Sequence, residues 1–168
     1  RTLLAVTLAL LAIAVRAVAA EPVRIGVSLG LTGQYEQPAL MQKRAYELWL
    51  GQVNEGGGLL GRPVELVIRD DGGDSARARA IYRDFVSSGQ IQTVFGPYSS
   101  EITAAVAGDV DAAGFPMLAA GASADDIWRR SYQNIFGMWT PASRYTQGML
   151  RLAREAGIYT VAILHADD

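Results

Sequence analysis

The amino-acid sequence predicts an α/β fold, an open parallel sheet with helices on both faces. Short β-branched and apolar runs alternate with longer amphipathic runs across residues 23–168. Clusters of glycine, aspartate and serine separate these runs, as turns do between strands and helices. Regular strand–helix alternation of this kind implies right-handed βαβ units, whose sheet is covered on both sides.

The first half of the alternation contains two strands, each followed by a helix. The predicted strands are Val23–Leu29 and Val64–Ile68, both rich in β-branched residues. The first helix ends at Asn54–Gly58, where glycines supply the positive φ of a helix C-cap. The apolar positions at helical spacing are Met41, Ala45, Leu48 and Trp49 in the first helix, and Ala78, Ile81, Tyr82, Phe85 and Val86 in the second.

The second half continues the pattern with shorter strands. A helix is predicted from about Ser100 to Ala113, and Pro141 marks the start of a later one. A turn at Gly121–Asp126 leads into a short helix. The four remaining predicted strands are Ile91–Phe95, Gly114–Ala120, Tyr132–Met138 and Tyr159–His165.

The loops after the strands are the candidate ligand-binding segments. In open parallel sheets a ligand lies beyond the carboxyl ends of the strands. That rule selects Thr32–Tyr35, Asp70–Asp74, Tyr98–Ser100 and Gly121–Ser123.

The third of these loops has the features of an anion site. A strand ends in Gly96 and Pro97, and a helix begins directly after Ser99 and Ser100. Free backbone N–H groups and the positive end of the helix dipole favour a carboxylate at such a position. The two hydroxyls can cap the helix, contact a ligand, or do both.

Residues 1–20 are predicted to be a secretory signal peptide. Arg1 precedes an apolar run from Leu3 to Val15, and small residues lie before a cleavage point after Ala19 or Ala20. The run is shorter than the ~20 residues of a membrane span, although an uncleaved N-terminal anchor is the alternative. We therefore expect export to the periplasm.

The composition limits the partners. The formal net charge is −2, whereas a nucleic-acid partner would require a basic face. The chain contains no cysteine, so it has neither disulfides nor thiolate metal sites. No nucleic acid, metal or cofactor is predicted, and we expect a monomer.

The sequence does not support catalysis. Gly26, Gly30 and Gly33 do not have the GxGxxG spacing, and neither a GK[ST] nor a GxSxG motif occurs. The acids of Asp70–Asp74 could hold a hard cation such as Mg²⁺. The favoured interpretation is that they cap a helix and complement its dipole.

An ordered set of motifs resembles the branched-chain amino-acid-binding protein family, the type I periplasmic solute receptors of ABC importers. The resemblance covers essentially all of residues 23–168. It implies that the protein is no enzyme but captures a small amino acid, or a related carboxylate or amide, for a membrane permease. The motifs are Val23–Val27, Gly30–Gly33, Val53–Gly58, Leu60–Leu66, Asp70–Asp71, Gly96–Ser100, Gly114–Leu118 and Gly121–Ser123.

The resemblance also implies roles for individual residues. Ser100 would hold the ligand carboxylate through its hydroxyl and backbone amide, with Ser99 at the pocket edge. The carbonyl of Gly121 would accept from the ligand amino group, and Ser123 would bridge the amino and carboxylate groups. Ala122, between them, belongs to the same ligand-binding set.

Two tyrosines complete the candidate site. Tyr35 and Tyr98 would flank the ligand side chain, although simple packing explains either residue equally well. If they do flank it, an apolar or aromatic tail is mildly favoured. The family resemblance leaves the ligand open among aliphatic amino acids, amides, urea and small aromatic acids.

The resemblance divides the chain into three parts. Residues 1–20 are the signal peptide, 21–138 an N-terminal lobe, and 139–168 the hinge crossover with the start of a second, truncated lobe. A single lobe is expected to bind ligand weakly or not at all. A sensory domain of a membrane signalling protein and a small metal-dependent enzyme are the alternative interpretations.

Overall fold

The computed structural model describes residues 20–164 and confirms the α/β prediction. The signal-peptide prediction lies outside the described residues except for Ala20, as does His165. Five strands form one parallel sheet in the order β2–β1–β3–β4–β5. The strands are β1 Val23–Leu29, β2 Val64–Asp70, β3 Thr93–Phe95, β4 Met117–Ala119 and β5 Ile135–Gly137.

The helices alternate with the strands along the chain. The first two strands are each followed by a long helix, whereas the last described helix follows a 3₁₀ turn. The helices are α1 Glu36–Glu55, α2 Ser75–Ser87, α3 Ser100–Ala112, α4 Asp125–Trp128 and α5 Gln147–Glu155, and the 3₁₀ turn is Ala142–Arg144.

Strand β1 organises the sheet because it lies between two neighbours. It pairs with β2 from Val23 opposite Val64 to Leu29 opposite Asp70, and with β3 at Ile25 and Gly26. Its apolar side chains are almost completely buried, as expected for a parallel strand covered on both faces.

Two apolar clusters cover the two faces of the sheet. One packs α2 and α3 against β3 and β4 and includes the fully buried Tyr82 and Phe85. The other packs α1 against β1 and β2 and includes Tyr46 and Phe95. Burial raises the pKa of Tyr82 well above its usual value, and its hydroxyl donates to the carbonyl of Phe95.

Two strand glycines allow close approach between elements. A Cβ on Gly26 would lie 2.8 Å from the ring of Phe85, which packs against the sheet. A Cβ on Gly96 would lie 2.9 Å from the Cα of Ala119, at the carboxyl ends of β3 and β4. Both positions therefore require glycine for packing rather than for an unusual backbone angle.

The later elements differ from the sequence predictions. Three strands were predicted too long, since β3, β4 and β5 each contain three residues. The predicted sixth strand at Tyr159–His165 is wrong over its described part, because residues 158–164 form no strand. Ile163 is 82% exposed and Leu164 fully exposed, so no neighbouring strand stabilises them. Pro141 precedes the 3₁₀ turn rather than α5.

An ion-pair network joins α2 to α3. Asp109 accepts from Arg79 at 2.7 and 2.9 Å and from Arg83 at 2.7 Å. The hydrogen bonds from Arg79, the largest cause, hold the pKa of the Asp109 carboxyl well below its usual value, and Arg83 acts in the same direction.

Replacing Asp109 by Asn is expected to lower the free energy of unfolding by about 1 kcal/mol at pH 7. Because the folded-state pKa is depressed, this stabilisation is present above the unfolded-state pKa of about 4 and is lost progressively at lower pH. Urea unfolding across this range measures the difference between the two proteins. Asp126→Asn, which breaks an exposed pair with Arg129, is the control and should change little. A loss of unfolding free energy that does not vary with pH would contradict the prediction.

Candidate functional site

The candidate site lies where β3 and β4 end. These strands pair in parallel at Val94–Met117 and Phe95–Leu118, and the amide of Gly96 donates to the Leu118 carbonyl at 2.8 Å. The loops that follow them, at 96–99 and 120–124, are consequently neighbours. The other two predicted loop segments are connected as well, because Thr32 donates to Asp70 and the ring of Tyr35 packs on that of Tyr98.

The hydroxyl of Ser100 connects these two loops. Its Oγ accepts from the backbone N–H of Ser123 at 3.0 Å and from that of Ala124 at 3.2 Å. A hydroxyl has two acceptor lone pairs and one donor proton. Because both lone pairs are engaged, the proton of Ser100 remains to be donated to another group.

The first turn of α3 provides further donors. The amide of Thr103 donates to the carbonyl of Ser99 at 2.9 Å and is the first to make a helical hydrogen bond. The amides of the three preceding residues have no carbonyl within the helix to bind. Together with the helix dipole they favour an anion at this position.

Neither serine caps α3 through its side chain. Ser99 occupies the N-cap position with an extended backbone, yet its hydroxyl makes no capping bond. Its Oγ is buried and, among the described residues, has no hydrogen-bond partner. Of the two alternatives, the structure therefore does not show side-chain capping by Ser99, and the Ser100 hydroxyl binds the neighbouring loop.

The loop after β4 packs directly against the loop after β3. A Cβ on Gly121 would lie 3.1 Å from the carbonyl oxygen of Pro97 and 3.3 Å from the Cα of Tyr98. Ala122 is buried, with 1% of its surface exposed. The absence of a side chain at Gly121 therefore permits the close contact that places Ser123 beside Ser100.

The segment after β5 is hydrogen-bonded to the same loop. The indole N–H of Trp139 donates to the Ala120 carbonyl at 2.5 Å, and the amide of Ala142 donates to the Ser123 carbonyl at 2.8 Å. Ser143 donates to Asp125 through its hydroxyl at 2.6 Å and its amide at 3.0 Å. The bonds from Ser143 hold the pKa of Asp125 below its usual value.

A small cavity of about 190 Å³ opens between these segments. Of the predicted site residues, four line it, whereas Ser99, Ser100 and Tyr35 do not. Tyr35 instead packs edge-to-face on Tyr98, with ring centroids 5.6 Å apart. The lining residues are Tyr98, Gly121, Ala122, Ser123, Trp139 and Tyr145.

The sequence prediction missed Trp139 and Tyr145. Trp139 falls in the predicted crossover segment, and Tyr145 follows Pro141, where a helix was predicted to start that begins only at Gln147. The available signal was two aromatic residues close together beside Pro141. Both are more than half exposed, which sequence periodicity does not reveal.

A larger cavity of about 810 Å³ lies on the sheet face beside α1. Its walls are mainly apolar, and Tyr98 and Trp139 belong to both cavities. Both cavities reach the loops at the carboxyl ends of the strands, but only the smaller one is lined by Gly121, Ala122 and Ser123.

The aspartates at the end of β2 accept hydrogen bonds from their own loop, from β1 and from the loop after β1. Asp74 accepts from the amide of Arg77 at 2.6 Å and caps α2, which confirms the favoured interpretation for this residue. Asp71 is fully buried and accepts from the Ser28 hydroxyl at 2.5 Å. Burial raises the pKa of Asp71, and the bond from Ser28 opposes that shift. Asp70 accepts from the amide and the hydroxyl of Thr32, in the loop after β1.

These features define a class of protein: a parallel α/β lobe with a small cavity at the carboxyl edge of its sheet. The chain belongs to the periplasmic binding protein family, whose family model matches residues 22–168. Within residues 20–164, none of the helices has the length and apolarity to cross a membrane.

Relatives with assigned names agree with this membership. The leucine-, isoleucine-, valine-, threonine- and alanine-binding protein of Pseudomonas aeruginosa is 30% identical over 118 residues, which are 70% of this chain and 31% of the relative. The Leu/Ile/Val-binding protein homolog 7 of Brucella melitensis is 24% identical over 170 residues, 94% of this chain and 42% of the relative. The chain thus spans less than half the length of both.

Solved structures show the same relation. An ABC transporter substrate-binding protein from Desulfitobacterium hafniense has a TM-score of 0.73 and 26% identity, covering 82% of this chain and 40% of its own. A second structure from that organism, an ABC transporter substrate-binding protein in complex with Leu, has a TM-score of 0.72 and 27% identity. The match covers 80% of this chain and 39% of the solved chain. The described fold therefore corresponds to part of a larger solute-binding protein structure.

The two adjacent serines are expected to differ in their effect on stability. Ser100→Ala leaves two partly buried N–H groups unpaired and should cost about 1 kcal/mol. Ser99→Ala removes a buried hydroxyl without a partner and should be neutral or slightly stabilising. Chemical denaturation measures the change in the free energy of unfolding. Amide hydrogen exchange at Ser123 and Ala124 should accelerate only in Ser100→Ala. Equal losses in the two variants would refute the assignment.

Proposed function

We propose that the protein is an extracytoplasmic solute-binding receptor of an ABC importer. It captures a small amino acid, or a related carboxylate or amide, between two lobes and delivers it to the membrane permease. The observation that carries this proposal is the Ser100 hydroxyl, whose lone pairs are occupied and whose proton remains available beside the open first turn of α3.

The polar end of such a ligand matches the groups at the site. Its carboxylate would accept from the Ser100 hydroxyl and from the free amides of α3. Its amino group would donate to the carbonyl of Gly121, while the Ser123 hydroxyl bridges the two. Ala122 would line the same pocket.

Three residues have supporting positions in this proposal. Tyr98 would contact the ligand side chain, since it lines the small cavity. Tyr35 would act through Tyr98, against which its ring packs. Ser99 would lie at the pocket edge, where its buried hydroxyl has no partner among the described residues.

The longer relatives support a two-lobe arrangement. Residues 1–20 would be a signal peptide that directs export to the periplasm, and residues 21–138 the N-terminal lobe. Residues 139–168 would contain the hinge crossover and begin a second lobe. Closure of two lobes over a ligand is a common mode of domain motion. A monomer with a small-molecule ligand and a permease partner completes the proposal.

Binding to the full gene product tests the proposal. Isothermal titration with a panel of amino acids, amides and small carboxylates should find at least one saturable ligand. Ser100→Ala should weaken the binding of that ligand at least tenfold, because a hydrogen bond to a charged group is lost. Ser87→Ala, an exposed serine at the end of α2, is the matched control and should bind as the wild type does. A panel without any ligand, or equal losses in both variants, would overturn the proposal.

The isolated 168-residue chain provides a separate prediction. Because a second lobe would contribute part of the ligand contacts, this chain should show little or no ligand-dependent rise in melting temperature. Differential scanning fluorimetry of this chain beside the full gene product, with the ligand found above, measures the difference. An equally large thermal shift in both would show that one lobe suffices.

A further inference from the structure

The small cavity has a polar side and an aromatic side. Gly121, Ala122 and Ser123 line it from the loop after β4, whereas three aromatic residues form the rest of its lining. Tyr98 comes from the loop after β3, and Trp139 and Tyr145 come from the segment after β5. The aromatic side therefore combines residues from two separate parts of the chain.

Trp139 is held in position but presents an apolar surface. Its indole N–H, the only hydrogen-bond donor of the side chain, is used by the Ala120 carbonyl at 2.5 Å. The side chain nevertheless remains 58% exposed, and that of Tyr145 remains 52% exposed. What Trp139 can offer a ligand is consequently the face and edge of its ring.

Tyr98, the third aromatic residue of the lining, is also packed against another ring. Tyr98 is fixed by its edge-to-face contact with Tyr35, at a centroid distance of 5.6 Å. Rings held in place by other contacts lose little conformational freedom on binding, which favours affinity.

The cavity lining excludes a charged ligand tail. None of its described lining residues is Asp, Glu, Lys, Arg or His. A charged tail placed between the rings would lose water without gaining an ionic partner. An aromatic tail, in contrast, gains edge-to-face and stacking contacts beyond the burial of apolar area. A branched aliphatic tail gains only the burial.

We propose that Trp139 and Tyr145 are specificity-determining residues that select an uncharged aromatic tail. The ligand is then an aromatic amino acid or a small aromatic carboxylate, rather than a branched aliphatic amino acid. This inference rests on the proposed function, since it uses the Ser100 and Gly121 contacts for the polar end of the same ligand.

The test measures ligand selectivity in the full gene product. Isothermal titration with phenylalanine, benzoate and leucine should show at least tenfold tighter binding of one of the two aromatic ligands than of leucine. Trp139→Leu should weaken the binding of the aromatic ligand about tenfold and change the affinity for leucine by less than about twofold. Trp139→Phe should retain most of the affinity for the aromatic ligand, because it keeps an aromatic ring at this position.

Two further variants separate specificity from folding. Tyr145→Leu should also lower the preference for the aromatic ligand, and it leaves the Trp139–Ala120 hydrogen bond intact. Phe136→Leu removes an exposed aromatic residue on β5 that does not line the small cavity, so it should leave the preference unchanged. Thermal unfolding of each variant shows whether it is folded.

The outcomes are distinguishable. Tighter binding of leucine than of either aromatic ligand, or an equal loss for all ligands in both Trp139→Leu and Tyr145→Leu, overturns this inference and leaves the proposed function intact. Failure of the wild-type protein to bind any member of the wider panel of amino acids, amides and carboxylates overturns both. The fluorescence of Trp139, obtained as the difference between wild type and Trp139→Phe, should change on addition of the aromatic ligand.

Discussion

The hydroxyl of Ser100 accepts two backbone N–H groups from the neighbouring loop, and the geometry of the whole candidate site depends on that contact. It links the N-terminus of α3 to the Ser123 region, so that the loop after β4 is bound at the first turn of α3. It also orients the hydroxyl, because only its proton remains uncommitted. A single side chain thereby serves both the packing of the loops and the chemistry proposed for them.

This contact is possible only because the backbones approach closely. Strands β3 and β4 are adjacent and parallel, and glycine at Gly96 and Gly121 leaves room where a Cβ would meet the neighbouring backbone. The segment after β5 then binds the same loop through Trp139, Ala142 and Ser143. The loop after β4 is consequently bound by hydrogen bonds from both sides, as pre-organised recognition requires.

The polar groups around Ser100 and the aromatic lining of the small cavity have different chemical consequences. Free amides and an oriented hydroxyl favour a carboxylate but do not distinguish one amino acid from another. The aromatic side does distinguish them, because rings discriminate by shape and by stacking. Relatives named for leucine, isoleucine and valine are similar to this chain. In the proposed site the choice of ligand tail would depend on the side chains that line the small cavity, Trp139 among them.

Local sequence patterns determined much of this protein. Helical and strand periodicity and glycine clusters predicted the fold class and the first two strand–helix units, and the rule for parallel sheets selected the loop segments that line the small cavity. Periodicity could not predict that residues 158–164 form no strand, since a strand exists only where another strand pairs with it. Nor could it predict that Ser100 binds across to Ser123 while Ser99 has no partner, or that Trp139 and Tyr145 line the cavity. These outcomes depend on which atoms meet through space, and only the tertiary structure decides that.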